Sequence, residues 1–257
     1  MTWNPNIYLT FGVERTRPAT ELLARIALDA PQRIVDLGCG PGNSTELLTA
    51  RWPDANIEGI DNSLEMLAEA RKLKIKAQWT QSDIASWASH KSYQLIFSNA
   101  TLQWLPDHAA LLPRLMSYVE SKGVFAFQVP RNFEEPCHQL IREVINSGPW
   151  CTKLEVVRDW WNVLKPDDYF DILEPVASLI DIWETRYIHV LEGEDAVYRW
   201  MSGTGLRPFL AVLEGEYRDG FIAEYKRRLR LAYPIRPSGK TLYLFQRLFV
   251  IAKRCAF

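Results

Sequence analysis

The chain has 257 residues, 47% of them hydrophobic, so it is long enough to bury one sizeable core. Its 30 lysines and arginines nearly balance 31 aspartates and glutamates, which gives no global sign of a nucleic-acid partner. No apolar run approaches the ~20 residues that cross a bilayer, so we expect no membrane partner. The four cysteines lack the spacing of a disulfide framework, and neither they nor the four histidines have metal-ligand spacing. We therefore expect a cytoplasmic chain with free thiols and no metal.

The first 130 residues predict strands that alternate with helices. Short apolar segments predict five strands, at 33–37, 57–60, 76–80, 93–98 and 123–129. Helices are predicted at 44–52 with Asn43 as its cap, after Asn62 or Ser63, and after Asp107. The inward residues expected in the last two helices are Leu64, Leu67 and Ala68, and Leu111, Leu112 and Leu115. Repeated β-α-β units of this kind indicate a parallel sheet with right-handed crossovers.

After Pro130 the regular alternation stops. The segment 133–175 is predicted to be helical, and 192–240 to form helices interrupted at Gly205 and Pro208. Two alternating β-rich stretches, 176–190 and 241–253, are expected to pair as antiparallel strands at the edge of the sheet. We therefore predict an α/β fold in one domain, 1–257, with a cofactor-binding core at 31–130. Helical lids at 131–175 and 192–240 are expected over the carboxyl ends of the strands, with N-terminal lid helices in 1–30, near 5–11 and from Pro18.

The most informative segment is 34–45, an apolar strand that runs into glycines at 38, 40 and 42 and then into a helix. Such a turn lets a ligand approach the backbone closely, and the helix offers free N–H groups. Asp36 lies two residues before Gly38, and its charge would repel a dinucleotide pyrophosphate. The methionine part of S-adenosylmethionine instead brings an ammonium group for this acid and a carboxylate for the helix. The dinucleotide fingerprint also requires its third glycine at the position of Asn43, whereas this chain has it at Gly42. The pattern therefore favours S-adenosylmethionine over NAD.

Further candidate cofactor residues follow the ends of the next strands. Asp61 is suited to accept the ribose hydroxyls, although it could simply cap the next helix. Asp83 and the Ile84 N–H are candidates for the adenine, with an ordinary loop acid as the alternative. The fourth strand ends near the expected reacting centre, and Trp104 could equally belong to the core. The full predicted cofactor set is Asp36, Gly38, Cys39, Gly40, Asn43, Asp61, Asn62, Ser63, Ser82, Asp83, Ile84, Asn99, Ala100, Gln103 and Trp104.

Taken together, these motifs resemble class I S-adenosylmethionine-dependent methyltransferases. More specific segments resemble the trans-aconitate 2-methyltransferase family: Trp3-Asn4-Pro5, Arg17-Pro18-Ala19, Leu102-Gln103-Trp104-Leu105-Pro106-Asp107-His108, Asp171-Ile172-Leu173 and Thr204-Gly205-Leu206-Arg207-Pro208. The resemblance covers nearly the whole chain and is weakest at about 145–168. It implies a Rossmann-like seven-stranded sheet with helices on both faces. It also implies methyl transfer to a carboxylate oxygen of a small di- or tricarboxylic acid, with trans-aconitate as the expected substrate.

Such a reaction needs no general base, because a carboxylate with a pKa near 4 is already ionised at pH 7. We therefore predict no catalytic acid, base or nucleophile, and a mechanism that rests on proximity and orientation. Several carboxylates on one substrate call for arginines, which pair with them in a bidentate way. The candidate arginines are Arg15, Arg17, Arg131, Arg186, Arg207 and Arg247, of which Arg207 lies in the most specific segment. Tyr8 and His138 are candidate hydrogen-bond donors, with core packing as the equal alternative.

Two other functions stay open at this point. A methyltransferase acting on a quinone, phenol or amine would share every cofactor residue. An NAD-dependent oxidoreductase would share the sheet but is disfavoured by Asp36 and by the glycine spacing. A nucleic-acid methyltransferase is disfavoured because Ser98-Asn99-Ala100-Thr101 lacks the Asn/Asp-Pro-Pro-aromatic ending that grips a flipped base. The sequence leaves the oligomeric state undetermined.

Overall fold

The computed structural model describes residues 12–157 and 161–256, apart from the side chains of Val13 and Arg15. The helix predicted near 5–11 therefore lies outside the described residues, as does Tyr8. The chain divides into two compact units. We call the first the sheet unit; among the described residues it comprises Gly12–Pro130, Asn162–Thr185 and Arg247–Ala256. The second, the helical unit, comprises Arg131–Trp161 and Arg186–Gln246.

The described elements follow one another in a β/α order until β5 and are then mostly helical. In chain order they are α1 (Gly12–Arg25), β1 (Arg33–Leu37), α2 (Asn43–Arg51), β2 (Asn56–Asp61), α3 (Leu64–Ala70), β3 (Ala77–Gln81), β4 (Tyr93–Asn99), α4 (His108–Ser117), β5 (Val119–Pro130), α5 (Pro136–Ser147), α6 (Cys151–Leu154), α7 (Pro166–Leu173), β6 (Ala177–Glu192), α8 (Ala196–Ser202), α9 (Arg207–Val212), α10 (Gly215–Ala232) and β7 (Lys240–Arg254). Short 3₁₀ turns occupy Leu102–Trp104, Glu155–Val157 and Glu174–Val176.

The strands form one seven-stranded sheet in the order β3-β2-β1-β4-β5-β7-β6. The five strands β1 to β5 are parallel to their neighbours, and β7 runs antiparallel to β5. The Ser178 hydroxyl, at the start of β6, donates to the carbonyls of Lys253 and Arg254 at the end of β7, as an antiparallel pair requires. The predicted mostly parallel sheet with an antiparallel edge is thus confirmed.

One hydrophobic cluster of the sheet unit lies on the face of the sheet that α4 and α7 cover. Alternate residues of β5, namely Phe125, Phe127 and Val129, pack there with α4 and α7. The inward leucines predicted for α4 (Leu111, Leu112 and Leu115) are buried, and Asp107 caps this helix by accepting from the Ala110 N–H. His108 of α4 and the Tyr169 hydroxyl of α7 form a 2.9 Å hydrogen bond, which joins the two helices. Helix α1 packs against β5 and α2.

Three local predictions were wrong. Helix α1 begins at Gly12 and contains Pro18, rather than starting there. The residue before α2 is Gly42 in a left-handed conformation, so Asn43 is the first helical residue and not its cap. In α3 the buried residues are Met66, Leu67 and Ala70, whereas Leu64 is 55% exposed, because the side of α3 that faces β2 and β3 is rotated from the predicted stripe. Ser63, one of the two predicted caps, does cap α3 by accepting from the Met66 N–H.

The helical unit contains α5, α6, α8, α9 and α10, with Arg186–Glu192 of β6 and Lys240–Gln246 of β7. Its helices α5 and α10 pack together, and the buried Tyr225 hydroxyl of α10 donates to the Cys137 carbonyl of α5 at 2.7 Å. Among the described residues, no helix is long and apolar enough to cross a bilayer. The first segment of the sheet unit ends at Pro130, and 162–175 belongs to the same unit, while the predicted cofactor-binding core stays a prediction. Which segments act as lids stays a prediction.

Candidate active site

The glycine-rich loop between β1 and α2 is held at the carboxyl edge of the sheet by its two neighbouring strands. On one side, the N–H groups of Gly38 and Cys39 donate to the Ile60 carbonyl of β2 at 2.7 and 3.0 Å. On the other side, the Thr101 hydroxyl donates to the Gly38 carbonyl at 3.1 Å, and the Ser98 hydroxyl to the Leu37 carbonyl at 2.8 Å. The loop is therefore preorganised rather than shaped by a ligand.

Two glycines of this loop adopt left-handed conformations for different reasons. At Gly38, φ is +73°, and a Cβ would lie only 2.1 Å from the Thr101 side chain. At Gly40, φ is +54°, but a Cβ would meet nothing within 4 Å. Gly38 is thus required by packing inside the protein, whereas Gly40 presents bare backbone to open space. A bare backbone of this kind is what close approach of a ligand needs.

A small pocket opens above this loop. It is lined by Thr16 and Ala19 of α1, by the loop, by the start of α2 and by the end of β4, through the residues Thr16, Ala19, Gly38, Cys39, Gly40, Pro41, Asn43, Ser44 and Asn99. Five predicted cofactor residues, Gly38, Cys39, Gly40, Asn43 and Asn99, are brought together here. Asn99 Oδ1 is buried and has no hydrogen-bond partner among the described residues. An unsatisfied acceptor in a pocket suits a ligand that donates hydrogen bonds, as an ammonium group does.

Asp36 lies beneath this pocket and is fully buried. Its Oδ2 accepts from the Ser44 hydroxyl at 2.7 Å and from the Thr45 hydroxyl at 2.6 Å, while Oδ1 has no partner among the described residues. Burial raises the pKa of this carboxyl to about 6, against the opposing effect of the two hydroxyl bonds. Asp36 is not among the residues that line the pocket, but Ser44, which donates to its carboxylate, is one of them.

Asp61 closes β2 beside the glycine loop. Its Oδ2 accepts from the Gly40 N–H and its Oδ1 from the Ser63 N–H, both at 2.9 Å. Burial raises the pKa of this carboxyl, and the backbone hydrogen bonds oppose the shift. A carboxylate has about four acceptor positions on its two oxygens, so the bonds to Gly40 and Ser63 leave room for ribose hydroxyls. Asp61 thus positions the loop and the start of α3, and its ribose role stays a prediction.

The remaining predicted cofactor residues lie at the ends of β2, β3 and β4. Asn62 is exposed, and the Asp83 carboxylate accepts from the Ala85 N–H at 2.9 Å, so it shapes its own loop. Ile84 is buried, and Arg114 donates to its carbonyl. The Ser82 N–H donates to the Asp61 carbonyl. Ala100 adopts φ +55°, and the buried Gln103 side chain donates to its carbonyl at 2.7 Å. Trp104 is half-buried.

Covalent chemistry finds little support at this site. Burial raises the pKa of the Cys39 thiol, so the thiol is protonated at pH 7 and a poor nucleophile. In the described part of the chain, no three His, Cys, Asp or Glu side chains cluster in a way that could hold a metal ion. That orientation carries the reaction stays a prediction.

The candidate substrate residues are divided between the two units. Arg17, on α1, is exposed and forms a 3.2 Å ion pair with Glu21. Arg131 and Arg207 are half-buried in the helical unit, and desolvation lowers the pKa of Arg207. His138 is buried against Phe133 and Trp161, and burial lowers its pKa to about 3, so its ring is neutral at pH 7. Tyr8 and the Arg15 side chain lie outside the described residues.

The sequence interpretation missed three groups of site residues. Ser44 and Thr45 hold Asp36, Thr101 holds Gly38, and Thr16 and Ala19 bring α1 to the pocket. Hydroxyls in the first turn after a glycine loop are a readable signal, because a buried acid two residues before that loop needs donors. Nothing in the sequence pattern of α1 indicated which of its residues would reach the pocket.

Comparison with known proteins identifies the family. A family model described as a methyltransferase domain matches residues 11–178. A trans-aconitate 2-methyltransferase from Methylobacterium radiotolerans is 46% identical over 257 residues, which cover 99% of each chain. An enzyme of the same name from Azoarcus sp. is 45% identical over 98% of this chain and 99% of its own. The chain belongs to the trans-aconitate 2-methyltransferase family. Membership confirms the resemblance found in the sequence and excludes the oxidoreductase alternative.

Solved structures support the fold of this family member. The YcgJ protein from Bacillus subtilis aligns with a TM-score of 0.62 at 11% identity, covering 94% of this chain and 99% of that chain. Phosphoethanolamine N-methyltransferase 2 from Haemonchus contortus, solved in complex with S-adenosyl-L-methionine, aligns with a TM-score of 0.54 at 15% identity. It covers 93% of this chain, which spans about half the length of that larger chain. At these identities the similarity concerns the fold alone, which is the predicted Rossmann-like sheet.

Proposed function

We propose that this methyltransferase transfers the methyl group of S-adenosylmethionine to a carboxylate oxygen of a small di- or tricarboxylic acid, with trans-aconitate as its substrate and a monomethyl ester as its product. The near full-length identity of 46% to a trans-aconitate 2-methyltransferase carries this proposal. The chain supplies what the reaction requires, namely a glycine cradle for the donor and half-buried arginines that suit an acid with several carboxylates.

The residues of the pocket fit the donor. The bare backbone at Gly40 and the unsatisfied Asn99 Oδ1 suit the amino-acid part of the donor. The Ser44 hydroxyl links this part of the pocket to the Asp36 carboxylate by a hydrogen bond. Asp61 keeps acceptor capacity for the ribose. When bound, S-adenosylmethionine supplies an electrophilic methyl group on a positively charged sulfur.

The remaining task of the protein is to orient the acid and exclude water. Ionised carboxylates need no proton removed at pH 7, and neither protonated Cys39 nor neutral His138 is required to act as a base. Alignment of two reactants in a closed site can supply roughly 7–11 kcal/mol of the barrier. No disulfide joins the four cysteines, all of which lie in the described residues, and this supports a reducing cytoplasm as the place of action.

This function is tested by incubating the purified protein with methyl-labelled donor and a panel of acids, phenols, quinones and amines. We expect label in a base-labile methyl ester with trans-aconitate, and much less product with monocarboxylic acids, since these cannot engage several arginines. Label that appears instead in a base-stable ether or amine would replace the carboxylate proposal by a different acceptor class. Donor binding, followed by calorimetry with S-adenosylhomocysteine, separates an inactive preparation from a wrong substrate.

A further inference from the structure

One face of the sheet carries polar residues that the donor pocket does not use. Gln128 of β5 is the register partner of Asn99 on β4 and of Phe249 on β7, and Arg247 is the register partner of Pro130. Register partners and residues two apart on a strand share a face, so Asn99, Gln128 and Arg247 point to the same side. This side is opposite to the core of Phe125, Phe127 and Val129. All these residues belong to the sheet unit.

Gln128 and Arg247 form a buried pair. Gln128 is 0% exposed and Arg247 is 3% exposed, and the Arg247 Nη1 donates to Gln128 Oε1 at 3.0 Å. Because a guanidinium can only donate, it fixes which end of the amide faces it. The other end, Gln128 Nε2, carries two N–H donors and has no hydrogen-bond partner among the described residues, Asn99 included.

Leaving such a donor unsatisfied in the interior costs about 1–3 kcal/mol, so its presence needs an explanation. A guanidinium beside an amide NH₂ forms a set of donors with positive charge. That set is complementary to a carboxylate and mismatched to an ammonium or to an apolar group. The neighbouring Asn99 Oδ1, an acceptor, has the opposite preference.

We propose that Gln128 and Arg247 form a subsite that binds a non-reacting carboxylate of the acid substrate, an inference that rests on the proposed function. The donor's own carboxylate is the other possible source of this chemistry. Gln128 and Arg247 are not among the residues that line the donor pocket, which come from α1, the glycine loop, α2 and the end of β4. Strands lie about 4.8 Å apart, and Gln128 is on β5, one strand spacing from β4, a distance that a polycarboxylic acid with its reacting end at β4 can span.

The test uses Gln128→Glu, which preserves shape and introduces a carboxylate beside Arg247. This internal carboxylate occupies the guanidinium and repels an anionic ligand. We expect KM for trans-aconitate to rise at least tenfold, with the affinity for S-adenosylhomocysteine within twofold of the wild type. Gln128→Met, which removes the donors without adding charge, should give a smaller rise in KM. For a monocarboxylic acid, the rates of variants and wild type should agree.

Arg254→Lys is the matched control, because Arg254 lies at the other end of β7, where it donates to the Ser117 and Val119 carbonyls. Its KM should stay at the wild-type value. Unchanged KM in Gln128→Glu overturns the subsite, and so does a loss of S-adenosylhomocysteine affinity, which would assign the pair to the donor. If the wild type methylates no acid, the proposed function fails separately. The subsite is then judged by the shift in Tm that a tricarboxylic acid produces in the S-adenosylhomocysteine complex. A shift that persists in Gln128→Glu contradicts it.

Discussion

At the scale of single residues, Asp36 is costly to the free protein. Its carboxyl is fully buried, and only one of its two oxygens has hydrogen-bond partners among the described residues. The pKa in the folded state, about 6, lies above the value of 3.8 expected when the group is solvated. The folded protein therefore holds more protons than the unfolded chain between about pH 4 and 6, and stability falls as pH rises through this window.

Replacing Asp36 by Asn should accordingly stabilise the free protein at neutral pH. The Asn oxygen can still accept from Ser44 and Thr45, while the buried charge is gone. We expect a gain in the free energy of unfolding of about 1–3 kcal/mol at pH 8 that shrinks toward zero near pH 4. Urea unfolding at pH 8 and pH 4.5 measures it, with the exposed Asp54→Asn as control. A gain that is the same at both pH values would show that charge burial is not the cause.

The site residues that sequence reasoning could find are those at strand ends. Asp61 and Asn99 each close a parallel strand, and such ends meet at one edge of the sheet. The residues that it could not find act through contacts distant in sequence. Thr101 lies 63 residues from Gly38, and Gln128 lies 119 residues from Arg247. Only the strand order makes these residues neighbours.

At the scale of elements, the glycine loop contains one glycine that the packing of the protein requires and another that a bound ligand requires. Gly38 is enclosed by Thr101, whereas Gly40 borders open space at the pocket. A side chain at Gly38 must therefore disturb the protein itself. A side chain at Gly40 must mainly disturb whatever binds there.

We expect Gly40→Ala to lose at least tenfold in affinity for S-adenosylhomocysteine while costing only about 1–2 kcal/mol of backbone strain. Gly38→Ala should unfold at a clearly lower temperature than Gly40→Ala, because it adds a clash to the same strain. Gly215→Ala is the control, since its φ of +52° and its open surroundings match those of Gly40 in the helical unit. Calorimetry and thermal melts measure both effects. Full affinity in Gly40→Ala would mean that the ligand does not approach this backbone.

The elements themselves followed well from sequence where the periodicity was strong. Strand β1 was predicted with its observed bounds, and β6 and β7 within two residues. The errors occurred where one local rule opposed another. Proline usually lies in the first turn of a helix, which predicts that α1 starts at Pro18. The helix instead continues on both sides of Pro18. The apolar Leu64 was placed inside α3 although the stripe of Met66, Leu67 and Ala70 faces the sheet.

At the scale of the whole molecule, the predicted donor and acid residues are distributed differently over the two units. The predicted donor residues all lie in the sheet unit, while Arg131, His138 and Arg207 lie in the helical unit. Sequence periodicity could predict the sheet because its strands repeat a regular unit. It could not predict the packing of the helical unit, since the large aromatic side chains there fit either a core or a pocket.

This division predicts that Arg207→Lys affects the acid and not the donor. Lysine keeps the charge but loses the bidentate geometry, so KM for trans-aconitate should rise about 5- to 150-fold, equivalent to about 1–3 kcal/mol. The affinity for S-adenosylhomocysteine should remain at the wild-type value. Arg227→Lys is the control, because Arg227 is exposed on α10 and pairs with Glu224. Kinetics in which both variants equal the wild type would remove Arg207 from the site.

The position of β7 between β5 and β6 has a consequence for the biosynthesis of this protein. The ribosome makes β5 long before β7, since roughly 110 residues separate Pro130 from Lys240. Translation proceeds at about 5–20 residues per second, so one edge of β5 stays unpaired for roughly 5–20 s before β7 is made. Unpaired strand edges invite intermolecular association. The nascent chain therefore passes through an interval in which it is most vulnerable to aggregation, and the last strand to be translated ends it.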